Sequence, residues 1–404
     1  MTGPAAVQDH GLGGPETLDA LLGQAGRALL AELPEGPLDD AAALRLGGAL
    51  RRRWPADLVA AALTMHDLRL AARAKFSRAA DMWFTRDGLE QASSERMAAL
   101  HARRFEGRGR LADLCTGIGG DLTALAPGRD VLAVDLDPVH LRMAVENAAV
   151  NGGAVDPVLA DARSADLTGV DGAFVDPARR ARGRRLRASG GAPDGTPPLA
   201  WCVGLADRVG AVGVKAAPGL APDQVPPGWE VEFVAEGREL KEAALWSPGL
   251  ATAPARATLL PRGETMVAAP GPAVAVAPPG EWLLDPSPAV TRAGLVEDLA
   301  RRVGGWKLDE RVAFVSMEAP VATPFARTLR VVASLPWQLK RLRAVLRERR
   351  VGAVEIRKRG SAVDVEALRR RLRLDGDAAA VVVLTRLDGR PWALVCEDAH
   401  LGAG

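Results

Sequence analysis

The segment Leu111-Ala-Asp-Leu-Cys-Thr-Gly-Ile-Gly-Gly-Asp121 constrains this chain more than any other. A short apolar run carries Asp113 near its end, turns through Gly117, Gly119 and Gly120, and opens a helical pattern at Asp121. A second apolar run, Val131-Leu-Ala-Val134, ends in Asp135. Glycine takes positive φ without steric cost, so a glycine cluster after a strand makes a tight turn into a helix. An acid closing the second strand is placed to hold ribose hydroxyls. The order strand, glycine turn, helix, strand, acid predicts a nucleotide-binding α/β domain built on a parallel sheet.

The turn itself is wrong for a dinucleotide. Its spacing is Gly-x-Gly-Gly, not Gly-x-Gly-x-x-Gly, and Asp113 sits where it faces the loop. A carboxylate there repels a pyrophosphate and accepts from the ammonium of an amino acid. S-adenosylmethionine (SAM) has an amino-acid end, a ribose and no phosphate, and is the ligand expected. Asp135 takes the ribose contact, because Asp137 followed by Pro138 reads as a helix cap. Asp161, just after the third expected strand, stands where an adenine amino group is held; it reads equally as a turn former.

The 404 residues suffice for two or three domains. Residues 1–104 are expected to form a helical N-terminal region: a Gly- and Pro-rich tail to about residue 15, then apolar positions at three-to-four spacing. Residues 105–262 alternate short apolar runs with helices, with strands expected at 111–115, 131–135, 158–160, 172–176, 211–215, 229–235 and 240–246. Residues 261–279, rich in Pro and Ala, read as a linker or a set of irregular connections. Residues 280–404 predict a small α+β domain, with helices at 289–303, 337–350 and 365–372 and strands at 353–358, 379–385 and 391–396. Asp388-Gly389 between the last two strands signals a hairpin. The fold class expected is α/β: a Rossmann-like seven-stranded domain between a helical region and a small α+β domain.

A net charge of +2 excludes a global polycation, so any nucleic-acid affinity resides in local patches. Three scattered cysteines lack metal spacing and argue against a disulfide framework, which points to a reducing, cytoplasmic setting. No metal is expected. No apolar run approaches the ~20 residues of a membrane span, so no membrane partner is expected either. Nothing in the sequence sets the oligomeric state.

Asp113 to Asp121, Ala133-Val-Asp-Leu-Asp-Pro138 and Ala144 through Asn151-Gly resemble the class I SAM-dependent methyltransferases. The resemblance is strongest to the branch containing the trimethylguanosine synthases and related RNA methyltransferases. It implies a cofactor set of Asp113, Cys115, Gly117, Gly119, Gly120, Asp135, Leu136, Asp161 and Asp176. Upstream, Met82-Trp-Phe-Thr-Arg-Asp-Gly-Leu-Glu-Gln91 is similar to that branch's pre-domain segment, in which a hydroxyl residue approaches the cofactor; Thr85 is the matching position.

The acceptor end is expected at Phe174-Val-Asp-Pro-Ala-Arg-Arg180. Methyl transfer needs an acceptor lone pair in line with the methyl carbon at about 3 Å, so positioning dominates. Asp176 is assigned to orient the acceptor; Arg179 reads as stacking on a base or pairing with a phosphate, and equally as a surface arginine at a helix start. The resembled base N-methyltransferases carry an aromatic after the Pro-Pro of this motif, whereas this chain reads Asp-Pro-Ala-Arg, which leaves the target atom open. Cys202, in an apolar helical stretch, reads as a core residue and not as a nucleophile.

Arg179, Arg180, Arg182, Arg184, Arg185 and Arg187 place six arginines within nine residues beside the acceptor position. That density suggests phosphate contacts, or else a solvated loop in an arginine-rich composition. Lys340 on the basic helix and Arg357, Lys358 and Arg359 at a strand end repeat the theme. Leu284 to Gly294, Leu335-Pro-Trp337 and Glu355 to Gly360 resemble the THUMP-like domain found C-terminal to a group of bacterial class I methyltransferases. THUMP domains proper bind RNA, so the resemblance implies a ribosomal or transfer RNA partner. The expected activity is methylation of a nucleotide of structured RNA. The alternatives are a methyltransferase acting on a small molecule or protein, and a non-catalytic SAM- or RNA-binding module.

Overall fold

The computed structural model describes Leu12 and residues 14–177, 180–181, 184–185 and 196–399. The chain divides into two compact units, Met1–Trp229 with Ala244–Ala251, and Glu230–Ala243 with Thr252–Gly404.

The first unit opens with six helices: α1 (Pro15–Leu22), α2 (Gln24–Ala31), α3 (Asp40–Leu50), α4 (Ala56–Ala72), α5 (Arg86–Gln91) and α6 (Glu95–Arg103). Their starts follow capping chemistry. Asp39, Thr85 and Ser94 accept from the backbone N–H of Ala42, Gly88 and Met97, which leaves fewer orphan donors in the first turns. Leu18, Leu21, Leu29, Val59, Met65 and Phe84 form one core that also takes in Ile118, Val139 and Met143, so the helical region is packed onto the glycine turn. Burying each such side chain contributes ~1.5–3 kcal/mol.

The sheet of this unit contains β1 (Leu111–Leu114), β2 (Val131–Asp135), β3 (Asp156–Leu159), β4 (Gly172–Val175) and β5 (Val212–Ala216) in the order β3-β2-β1-β4-β5. All of these pairings are parallel. The end of strand β7 (Glu239–Trp246) lies beside β5. Every residue of β1 and β4 is buried, as for strands covered on both faces. Between strands run α7 (Leu122–Leu125), α8 (Pro138–Val150), α9 (Leu199–Gly204) and α10 (Ala206–Val209). The chain winds outward from β1 to β3 and returns to the other side of β1 as β4. The crevice at the C-terminal ends of β1 and β4 is therefore the topological switch point, where open α/β sheets bind ligands.

In the second unit β6 (Glu230–Glu236) pairs in parallel with β8 (Ala255–Leu260), which pairs antiparallel with β9 (Glu264–Val267). Strand β9 falls inside the stretch read from sequence as a linker. A separate seven-stranded sheet holds β10 (Trp282–Pro286), β11 (Trp306–Lys307), β12 (Val315–Met317), β13 (Ala326–Pro336), β14 (Val351–Lys358), β15 (Ala378–Leu387) and β16 (Arg390–Asp398). Its order is β11-β12-β10-β13-β16-β15-β14. The β15–β16 hairpin turns at Asp388 (φ +47°) and Gly389 (φ +70°), the two positive-φ positions that an Asp-Gly pair favours. The helix expected at 289–303 is two helices, α11 (Pro288–Arg292) and α12 (Val296–Val303), because Gly294 at φ +73° interrupts the helical run. Helices α13 (Leu339–Glu348) and α14 (Val365–Leu372) contribute Leu342, Leu346, Leu368 and Leu372 to a core with β15 and β16. No described helix is long and apolar enough to cross a membrane.

Candidate active site

Three carboxylates close the switch-point crevice: Asp113 on β1, Asp135 on β2 and Asp176 just after β4. Parallel pairing brings their strand ends together, and Asp176 N donates to the Leu114 carbonyl at 3.1 Å. Asp113 is 1% exposed and accepts from the Thr116 hydroxyl. Burial, together with the charges of Asp121, Asp176 and Asp135, pushes its carboxyl up to about 8. Asp135 accepts from Gly117 N at 2.7 Å and from Asp137 N at 2.8 Å. Burial raises Asp135, and those two backbone donors pull it back. Asp137 caps α8 through Val139 N at 2.8 Å, the role expected of it.

The turn between β1 and α7 winds through Cys115, Gly117 and Gly119 at φ +63°, +54° and +81°. A Cβ on Gly119 would stand 2.9 Å from Ala144 Cα, so glycine lets α8 approach the loop. A Cβ on Gly120 would stand 3.0 Å from Ala92 Cβ and 3.1 Å from Ser93 N, so the connection between α5 and α6 also closes on the turn. Thr85 is fully buried and caps α5; its hydroxyl accepts from Gly88 N at 2.9 Å and lies 3.0 Å from His140 Nε2. Leu136 is left 56% exposed directly after Asp135. Leu159, in register with Asp135 on β3, is exposed as well and is a residue that sequence reasoning did not single out.

Asp161 accepts from Arg163 N at 2.9 Å and from the Arg163 guanidinium at 3.0 Å. That guanidinium holds its carboxyl below the usual range. The Cys115 thiol is pushed up by burial and by Asp135 and Asp176, which leaves it a poor nucleophile. Cys202 is fully buried, with its thiol 4.0 Å from the Pro197 carbonyl, a core position.

Sequence spacing did not reveal what stands behind Asp176. Lys215 Nζ on β5 donates to Asp176 Oδ2 at 2.7 Å and to Ser93 Oγ at 3.1 Å. Ser93 Oγ donates to Asp121 Oδ2 at 2.9 Å, and Asp121 Oδ1 lies 2.7 Å from His101 Nδ1. Burial opposes ionisation of Asp121, but His101, Lys215 and Ser93 outweigh it and keep the carboxyl below its usual range. The His101 ring packs 4.6 Å from Phe174 and 6.1 Å from Trp246, so the relay ends in the aromatic core. Asn147 forms a second tie: its Oδ1 accepts from Trp83 N at 2.7 Å, and its Nδ2 donates to the carbonyls of Trp83 at 2.9 Å and Ile118 at 2.8 Å.

Of the arginine-rich loop, Arg179, Arg182 and Arg187 lie outside the described residues. Of Arg180, Arg184 and Arg185 only the backbone is described, a two-by-two antiparallel ribbon. In the second unit Lys340 is exposed on α13. Arg357 and Arg359 both turn onto the buried carboxylate of Asp285, at 2.6 and 3.0 Å. Lys358 donates to the Val363 carbonyl at 3.1 Å.

A family model described as THUMP domain-like matches residues 326–398, and one described as a domain of unknown function (DUF8688) matches residues 14–72. A crystal structure from Porphyromonas gingivalis, provisionally named a methyltransferase, superposes with a TM-score of 0.70 at 20% identity, covering 90% of this chain and 100% of its own, a likeness of fold. Proteins from two strains of Mycobacterium tuberculosis, each called an uncharacterized S-adenosylmethionine-dependent methyltransferase, are 38% identical to it over 310 residues, spanning 75% of this chain and 84% of theirs. On that shared sequence, this chain belongs to the S-adenosylmethionine-dependent methyltransferases.

Proposed function

We propose that the protein transfers the methyl group of SAM to a nucleotide of structured RNA, ribosomal or transfer RNA. The observation that carries the reading is Asp176, held 2.7 Å from the ammonium of a buried lysine at the acceptor end of the crevice, in a chain that also carries a THUMP domain-like segment.

The residues of the crevice fit SAM. Among the described residues the crevice gathers the carboxylates of Asp113, Asp135 and Asp176, and Asp113 is a buried acid with its carboxyl pushed up to about 8, a place that a ligand ammonium would complete. In this reading Asp113 takes the ammonium and Asp135 the ribose hydroxyls. Gly117, Gly119 and Gly120, with Cys115 and Thr85, shape the cradle. Leu136 offers an apolar face to the adenine, and Asp161 accepts from its amino group. When bound, SAM supplies a methyl carbon made electrophilic by the sulfonium. Asp176, paired with Lys215, accepts a hydrogen bond from an exocyclic amine and orients its lone pair. Arg179, with Arg180, Arg182, Arg184 and Arg185, contacts RNA phosphates, and in the second unit Lys340, Arg357, Lys358 and Arg359 are assigned phosphate contacts of their own, with Arg357 and Arg359 also paired to Asp285. The three free cysteines accord with a reducing, cytoplasmic setting.

Nucleoside mass spectrometry of RNA from cells with and without the protein tests this. Loss of one methylated nucleoside is the expected result. An unchanged nucleoside profile overturns the RNA assignment. A second reading, a small-molecule or protein acceptor, is favoured by Arg357 and Arg359 being turned onto Asp285. Methyl transfer into an extract that survives ribonuclease treatment would support it.

A further inference from the structure

The helical region of the first unit holds a groove of about 480 Å³ whose walls carry Arg27, Arg69, Arg73 and His66 around Trp83, against two acids, Glu35 and Asp81. The guanidinium of Arg69 lies 4.8 Å from the Trp83 ring centre, and that of Arg27 lies 5.2 Å from it. Two like charges thus share one buried aromatic ring. Arg27 has an anion, Glu146, at 3.0 Å. Arg69 is satisfied at Nε by the Met82 carbonyl at 2.9 Å, and no ion pair to it is found among the described residues. Asp81, the acid whose charge reaches it, lies 3.9 Å from Arg78. Burial and the nearby Arg27 lower Arg69 to about 10, as expected of a desolvated cation without a contacting anion. Trp83 Nε1 is buried and has no hydrogen-bond partner among the described residues. Arg73, exposed at the rim, donates to the Glu35 carbonyl at 3.0 Å.

A buried cation is costly unless paired, and a guanidinium fork matches phosphate oxygens in two-point geometry. The volume lies within the range of pockets that accept a nucleotide-sized ligand. We propose that this groove is a phosphate-binding site, with Arg69 and Arg73 as the contacting residues. The phosphate comes either from an RNA backbone flanking the methylated nucleotide or from a free nucleotide. The first source rests on the RNA reading above; the second does not.

The test uses the full chain and three probes: inorganic phosphate, adenosine monophosphate and a short single-stranded RNA. Binding is measured by calorimetry and, for RNA, as a function of salt. Arg69→Met keeps the stem packed on Trp83 and removes the fork; Arg73→Gln changes an exposed residue and guards against misfolding of the first variant. The site predicts that each variant weakens the bound probe by about tenfold or more, and that the RNA salt slope falls by about one per arginine, with SAM affinity unchanged. Loss confined to RNA identifies the backbone source, and loss of adenosine monophosphate or inorganic phosphate identifies a free one. If the wild-type chain binds none of the probes, or both variants bind them as the wild type does, the site is overturned. Groove binding that persists in a protein which methylates no RNA would overturn the functional reading and leave this site standing.

Discussion

Lys215 Nζ lies 2.7 Å from Asp176 Oδ2 with the lysine side chain 4% exposed, so the carboxylate that follows β4 rests on a buried cation. The same ammonium reaches Ser93, and through it Asp121 and His101. Lys215→Met removes the charge but keeps the volume, leaving Asp176 and Asp121 without their shared cation. Breaking one side of a buried pair costs ~3–5 kcal/mol, which urea denaturation will register. Asp176→Asn takes the counter-charge from the lysine but leaves an amide oxygen to accept its hydrogen bond. It is expected to leave SAM affinity within about threefold and to lower methyl transfer by about a hundredfold or more, the scale of a lost positioning contact. Transfer at the wild-type rate in Asp176→Asn would remove this residue from the acceptor site.

If Asp113 takes the SAM ammonium, as proposed, binding is proton-linked. Its folded value, about 8, lies above the ordinary 3.8, so between those values the folded protein holds a proton that the unfolded chain has released. The stability from this group is fully present below about pH 4 and is lost as pH rises through about 8. A ligand ammonium pairs with the ionised form, so binding near pH 7 should expel close to one proton and affinity should rise toward pH 8. Calorimetry in two buffers of different ionisation enthalpy measures the proton directly. Asp113→Asn should abolish the proton release, weaken SAM and flatten the pH dependence of the melting temperature between pH 4 and 8. Proton release undiminished in that variant would place the titrating group elsewhere.

Asp135 holds the loop and, in the proposed reading, the ribose, and substitution separates the two. Its oxygens accept from Gly117 N and Asp137 N, so Asp135→Ala loosens the loop while deleting the proposed ribose acceptor. Asp135→Asn retains one acceptor oxygen for the backbone. SAM binding measured by calorimetry should vanish in Ala and fall by about tenfold or more in Asn, as expected when a charged hydrogen bond is lost. Unchanged affinity in both variants would end the ribose assignment.

Local signals were legible in the sequence and distant ones were not. The Asp137 cap, the glycine turn and the Asp388-Gly389 hairpin are each encoded within a few residues, and each is found where the spacing puts it. Lys215 and Ser93 are 122 positions apart, and His101 and Asp121 twenty, with no periodicity to link them. A lysine inside Val212–Ala216 was a signal of sorts, since a cation in a buried strand needs a partner, but nothing local names that partner. Strand β13 escaped for a different reason. Its burial does not alternate, and a register shift between Val331 and Ala333 breaks the period of two on which strand reading depends.

Asn147 supplies the remaining prediction. From one side chain on α8 it holds both backbone groups of Trp83 and the carbonyl of Ile118, so the segment leading to Thr85 and the glycine turn are pinned by a single amide. Each net hydrogen bond is worth ~1 kcal/mol, and each partner left buried and unsatisfied costs ~1–3 kcal/mol more. Asn147→Leu fills the space and satisfies none of the three, so it should destabilise the protein by ~3 kcal/mol or more in denaturant. Asn147→Asp keeps the acceptor for Trp83 N but turns the two carbonyls against a carboxylate, and should be no better tolerated. Because the pinned segments frame the cofactor turn, hydrogen exchange should quicken at Gly119 and Gly120 in both variants before global unfolding sets in. Exchange that quickens uniformly across the first unit would mean that Asn147 stabilises the whole core and has no particular hold on the turn.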